Sequence, residues 1–252
     1  MYCRGLIHAK RAEGKEELMN KKLKNLLLIS LVSVTPFGIA NAADVESKGE
    51  VIFKENADPI NPVDPDEGGE IISPRPPTDG PLSINYASDI SFGKQVIANS
   101  MQTYLAENDL IELISTGEQK LMPNFVQVTD LRGKASGWTL GVKQNSKFHT
   151  KDGHELANSS LTLKKSTVRP QIQEMPENFY PKSTIDQPVT LLNDQLTEVA
   201  RADAGTGIAT WNIFLGDFTD QSNNLSLTIP AGDVKAPGIY NTTLTWVLQD
   251  VL

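Results

Sequence analysis

Short runs of strand-forming residues, separated by turn-forming residues, fill the chain from Leu82 onward. Runs such as "NFVQVTD", "GWTLGVKQ", "TWNIFLG" and "NLSLTIP" alternate with "LRGKASG", "TKDGHE" and "PAGDVKAPG". β-branched and aromatic residues between clusters of Gly, Asn, Asp and Pro are typical of many short strands. The sequence therefore predicts an all-β domain, a single β-sandwich-like unit over residues 82–252. The stretch "SMQTYLAENDLIELIS" fits either a helix or strands.

Two of the three tryptophans stand in the same short pattern, "GWTLG" at 137–141 and "LTWVL" at 244–248. Side chains alternate between the two faces of a strand, so each tryptophan shares a face with a leucine two residues later. The face predicted for the first stretch carries Trp138, Leu140 and Val142. The face predicted for the last strand carries Tyr240, Thr242, Leu244, Trp246 and Leu248.

These tryptophans have two possible roles. Exposed indoles could stack on sugars or anchor a partner, whereas buried indoles would fill the core of a sandwich. Aliphatic residues on the same face favour the core. Trp211 has the same two possible roles, and with Phe214 and Phe218 it could form an aromatic patch or further core.

The first 42 residues contain the three parts of a secretory signal. In residues 19–42, Lys21, Lys22 and Lys24 precede an apolar run, and a small-x-small site follows, with cleavage between Ala42 and Ala43. We predict that translation starts at Met19 and that the segment given as residues 1–18 is not translated. Cys3, the single cysteine, lies in that segment. We expect an exported protein without disulfides and without a membrane span after signal cleavage.

Residues 43–81 are rich in Pro, Gly and acidic residues, as in "NADPINPVDPDEGG". Such a segment has few apolar side chains to bury, so we predict a disordered acidic linker. The acidic cluster Asp58, Asp64, Asp66 and Glu67 lacks the loop spacing of a known calcium motif and is interpreted as part of the solvated linker. The whole chain has a net charge of −8, which argues against nucleic acid as a partner.

The residue types needed for catalysis do not form a recognisable set. His149 and His154 are five residues apart in a polar stretch that matches no zinc motif. No serine stands in a Gly-x-Ser-x-Gly turn. We therefore predict no enzyme activity, no metal and no cofactor. Two small groups of basic residues could make a local anion contact but are interpreted as solvated loop charges: Arg132 with Lys134, and Lys164, Lys165 and Arg169.

The chain resembles the WxL-domain proteins of the cell surface of low-GC Gram-positive bacteria. The resemblance depends on "QVTDLRGKASGWTLGV" at 127–142 and "APGIYNTTLTWVLQDVL" at 236–252, supported by "ATWNIFLGD" and the lead-in "DPINPVDPDEGG". The ending lacks the proline that often closes the last motif. The WxL motif residues expected to mark the fold, and to contact the wall or a partner, are Trp138, Leu140, Tyr240, Leu244, Trp246 and Leu248.

This resemblance implies a secreted protein attached non-covalently to the cell wall, with peptidoglycan as the ligand type. It also implies association with WxL-interacting surface proteins and with other WxL proteins. An alternative from a different class is a secreted adhesin or carbohydrate-binding module for host or plant glycans. A second alternative is a glycan hydrolase whose carboxylates meet only in the folded state.

Overall fold

The computed structural model describes residues 46–56, 58–217, 220 and 224–251. The chain divides into a unit up to residue 50 and a unit over residues 51–252. The described part of the first unit is exposed and has no regular secondary structure. The signal sequence, its cleavage site at Ala42 and Ala43, and Phe218 lie outside the described residues.

The regular secondary structure of the second unit consists almost entirely of strands. Its one short helix in the described residues is a 3₁₀ turn, Glu177–Phe179. The stretch that fits either a helix or strands forms two strands. The strands are β1 Leu82–Ala87, β2 Gln102–Leu105, β3 Asp109–Glu112, β4 Gln119–Met122, β5 Phe125–Asp130, β6 Trp138–Gln144, β7 Ser160–Leu163, β8 Thr167–Pro170, β9 Lys182–Ser183, β10 Val189–Leu191, β11 Thr197–Ala202, β12 Ala209–Phe214, β13 Ser226–Ile229 and β14 Leu244–Asp250.

Three antiparallel sheets of four strands and one hairpin make up the architecture. The first sheet has the order β1-β5-β12-β8, the second β10-β7-β13-β2 and the third β14-β6-β11-β9, and β3 pairs with β4. β14 lies beside β1, and β9 lies beside β8. The first and third sheets therefore approach each other at both edges and enclose the main apolar core. The predicted all-β, sandwich-like fold is confirmed. None of the helices formed by the described residues is long and apolar enough to cross a membrane.

The first sheet is buried on both faces at its centre. Val126 and Val128 of β5 face the main core, whereas Phe125 faces a second apolar cluster on the outer side. Phe125 stacks on Tyr86 with ring centroids 4.6 Å apart and lies 5.6 Å from Phe214. The hairpin β3–β4 covers only part of this second cluster. Another segment must therefore shield the rest of it from solvent.

Residues 60–72, here called the covering segment, complete that cover. The side chain of Gln127 accepts the N–H of Val63 at 3.0 Å and donates to its carbonyl at 2.9 Å. Ile71 is 1% exposed, and the fully buried carboxylate of Asp64 forms an ion pair with Lys120 at 2.9 Å. The prediction of a disordered linker over residues 43–81 is therefore wrong for this part of it.

The physical reason is that a few contacts are enough to order the covering segment. Proline-rich backbone is already extended, so less conformational entropy is lost on docking. Asp64 has a cationic partner inside the protein and does not need solvent. The described residues contain no group of three or more His, Cys, Asp or Glu side chains placed to hold a metal ion.

Candidate functional site

The two W-x-L stretches lie side by side on paired antiparallel strands, β6 and β14. In this register Leu140 is opposite Leu248, and Trp246 is opposite Val142. Residues directly opposite each other in a ladder point to the same face. The tertiary structure therefore joins two stretches that are about a hundred residues apart in the chain into one apolar surface.

The first stretch belongs to the core. Trp138 and Leu140 are fully buried, and the indole Nε1–H of Trp138 donates to the carbonyl of Gly207 at 2.9 Å. Gly137 has a φ of +88°, and a side chain there would collide with the carbonyl of Ala202. The flanking glycine is thus required for the close approach of two strands.

The second stretch lies at the margin of the same core. Leu244, Trp246 and Leu248 pack against it but remain partly exposed, because β14 is the last strand of its sheet. The two tryptophans of the repeated pattern therefore differ in accessibility. Sequence periodicity placed both on apolar faces correctly but did not separate the buried indole from the accessible one.

Trp246 and Leu244 line a cleft of about 450 Å³, here called the tryptophan cleft. Its aromatic lining is completed by Tyr240, which precedes β14, and by Phe92 and Phe148 from distant parts of the chain. Phe92 and Phe148 meet edge to face with centroids 6.0 Å apart. Its polar lining includes the consecutive residues Asn241, Thr242 and Thr243.

Tyr240 holds the loop that connects this cleft to a second depression. Its hydroxyl accepts the N–H of Ala236 at 3.0 Å and contacts the carbonyl of the same residue at 3.1 Å. The second depression, here called the loop groove, has a volume of about 590 Å³ and is lined by residues 90–97 and 235–241. Tyr240 and Phe148 line both depressions.

Residues 40–251 match the family model of the WxL domain, described as a surface cell wall-binding domain. The chain belongs to the WxL family. Searches of the curated proteins and of the solved structures found no match. Membership of this family identifies the chain as a cell-wall-binding surface protein. The family is defined by binding, not by catalysis. The family membership expected from the motifs is confirmed.

Within this WxL domain an ion-pair network joins the two motifs. Sequence reasoning missed this network. Arg132 is buried and donates from Nε and Nη2 to the carboxylate of Asp130 at 2.9 and 2.7 Å. Its Nη2 also donates to the carbonyl of Gly137 at 2.8 Å, and its Nη1 lies 2.5 Å from Asp250 Oδ1. The interpretation of Arg132 as a solvated loop charge is wrong. The Asp-x-Arg spacing in "TDLRG" is the sequence feature that could have predicted the ion pair between Asp130 and Arg132.

The network fixes the charges of its members. The Arg132 guanidinium beside Asp250 holds the pKa of that carboxyl below its usual value. Hydrogen bonds to Asp130 raise the pKa of Arg132, so it stays protonated at every accessible pH. The end of β14 is thereby tied to the loop before Trp138.

The remaining aromatic and histidine residues have structural contacts. Trp211 is fully buried, with its indole N–H donated to the carbonyl of Ile208 at 2.7 Å. Phe214 is also buried but belongs to the outer cluster, so these two residues form core and not a surface patch. His154 Nε2 is 2.7 Å from the carbonyl of Val234. His149 Nδ1 is 2.9 Å from the carbonyl of Lys147.

Proposed function

We propose that this protein is exported by the signal at residues 19–42 and is held non-covalently on peptidoglycan by its WxL domain. The family match over residues 40–251 carries this proposal. On the wall the protein joins WxL-interacting proteins and other WxL proteins in a surface complex. It acts by binding and does not cleave its ligand.

The tryptophan cleft is the proposed contact for the glycan strand. Sugar rings present an apolar face and a rim of hydroxyl and acetamido groups, and binding sites for such ligands combine aromatic rings with a few polar groups. Trp246 and Tyr240 supply the rings. The consecutive polar residues 241–243 supply donors and acceptors along one wall.

Charge favours short-range recognition over long-range attraction. The chain has 31 acidic and 23 basic residues, so it is not drawn to anionic wall polymers by its overall field. At the cleft, Arg75 and Asp89 form an ion pair at 2.8 Å and largely neutralise each other. Uncharged glycan is therefore a better ligand for this surface than an anionic polymer.

Co-sedimentation with purified, teichoic-acid-free peptidoglycan tests the proposal, using the protein processed and released by a Gram-positive host. Wild type is expected to sediment, and Trp246→Ala and Asn241→Ala are expected to bind at least tenfold more weakly, which is about 1.4 kcal/mol of lost binding free energy. Leu121→Ala, at an exposed hairpin position outside the cleft, serves as the matched control. Circular dichroism reports whether each variant is folded.

Three outcomes would contradict parts of the proposal. Wild type that stays in the supernatant would contradict peptidoglycan binding and would favour a protein partner. Folded variants that bind like wild type would move the contact away from the cleft. Soluble muropeptides in the supernatant would contradict the non-catalytic role.

A further inference from the structure

Three consecutive large apolar residues are exposed just before the covering segment. Val51, Ile52 and Phe53 are 72%, 83% and 88% exposed, and the strand pairings of the described residues do not include them. β-branched and aromatic residues in a row favour extended strand structure. Large apolar side chains exposed together are typical of an interaction site. We call residues 51–53 the donor segment.

The second sheet ends in a strand that could accept another. One face of this sheet carries a row of paired side chains, in which Leu191 is opposite Leu161, Leu161 is opposite Leu227, and Leu227 is opposite Tyr104. Tyr104 is on β2, the last strand of the described sheet on that side. It also lines the loop groove. The apolar row therefore continues into the groove without a strand to complete it.

The alternation of the donor segment fits this geometry. In a strand paired with β2, Val51 and Phe53 would share one face, about 7 Å apart, and Ile52 would point to the other. The first face continues the row that ends at Tyr104. The other face of β2 carries Leu105, which is 39% exposed. Both faces of an added strand thus meet apolar side chains.

Exposed apolar residues and charge at the groove support the same fit. Val96 and Ile97, on the wall of the groove, are 87% and 52% exposed. The charged side chains among its lining residues are Lys94 and Lys235. The donor segment is flanked in sequence by Glu50 and Glu55, with Lys54 between. The groove is therefore positively charged, whereas the residues that flank the donor segment carry a net negative charge.

We propose that the donor segment of one copy adds as a strand to β2 of a second copy and places Phe53 in its loop groove. Main-chain hydrogen bonds to β2 give affinity, and the groove gives specificity. Because donor and acceptor are different surfaces, the contact is head to tail unless two copies exchange segments reciprocally. The inference rests on the proposed function in one respect, since it names a second copy of this chain as a member of the surface complex.

Sedimentation-velocity ultracentrifugation of the processed protein, from about 1 to about 200 µM, tests this proposal by mass action. Wild type is expected to form dimers or longer species. Phe53→Asp is expected to weaken self-association at least tenfold. It leaves folding intact because Phe53 is exposed. Ile172→Asp changes another exposed apolar residue, 51% exposed, and should associate like wild type.

A mixing experiment locates the acceptor. The double variant Val96→Asp/Ile97→Asp keeps the donor segment and should not associate alone. Mixed with Phe53→Asp, which keeps the groove, it should form a heterodimer through the single remaining contact. Monomeric wild type at every concentration would overturn the proposal. So would self-association that Phe53→Asp leaves unchanged, or a donor segment that binds only other proteins from a wall extract.

Failure of this inference can be told apart from failure of the proposed function. Monomeric protein that still sediments with peptidoglycan contradicts the donor-segment contact alone. Protein that self-associates through Phe53 but does not sediment contradicts peptidoglycan binding alone.

Discussion

Replacement of each motif tryptophan by alanine should have unequal effects on folding. Trp138 is fully buried, and burying an indole removes about 200 Å² from water, which at about 25 cal/mol per Å² is roughly 5 kcal/mol. The alanine side chain still buries part of this area, so Trp138→Ala should lower the free energy of unfolding by about 4 kcal/mol. It also leaves the carbonyl of Gly207 without its indole donor. Trp246 is half-buried at a sheet edge, and its loss should cost about 2 kcal/mol.

Urea unfolding followed by far-ultraviolet circular dichroism measures the difference without relying on tryptophan fluorescence. With a slope of about 2 kcal/mol per molar urea, Trp138→Ala should lower the midpoint by about 2 M and Trp246→Ala by about 1 M. Total stability of such domains is about 5–15 kcal/mol, so Trp138→Ala can leave a partly unfolded population in water. Equal midpoints for the two variants would refute the assignment of one tryptophan to the core and the other to its margin.

Two further predictions concern the contacts between the motifs. Gly207→Ala should cost about 2–5 kcal/mol, because φ is +80° and the new Cβ would lie 2.6 Å from Trp138 Nε1. Gly205→Ala has φ +92° and open space, so it should cost only about 1 kcal/mol, and thermal unfolding of the pair checks this. The carboxyl of Asp250 has a lowered pKa in the folded state, so its contribution to stability is present above the unfolded pKa and is lost as pH falls through the folded one. Asp250→Asn should therefore flatten the acid side of a plot of urea midpoint against pH, and an unchanged slope would contradict the role of the Arg132 ion pair.

The sequence predicted the strands and the core face of each motif because both follow from local periodicity. Alternation in "GWTLGV" and "LTWVL" correctly assigned Trp138 and Trp246 to apolar faces. The sequence did not predict that Arg132 and Asp64 are buried. Asp64 pairs with Lys120, and Arg132 pairs with Asp250 as well as with its neighbour Asp130. Lys120 and Asp250 are far away in the chain, so local pattern and composition do not reveal these two ion pairs. The same limit explains why the composition of the covering segment indicates a disordered linker although several of its residues are buried in the fold.

The tryptophan cleft was not predictable either. Phe92, Phe148 and Tyr240 lie on three connections that are far apart in the chain, and each alone is an ordinary loop aromatic. Tyr240 lies just before β14 in the chain, whereas Phe92 and Phe148 are brought beside it only by the tertiary structure.

The sequence by itself determined the fold class, the family and the apolar face of each W-x-L stretch, because backbone sterics and side-chain alternation act over a few residues. The tertiary structure decided which tryptophan is accessible, which acidic residues are buried and which strand ends each sheet. Those properties depend on the order of strands within sheets. Strand order arises from contacts between residues far apart in the chain, and local sequence pattern contains little information about such contacts.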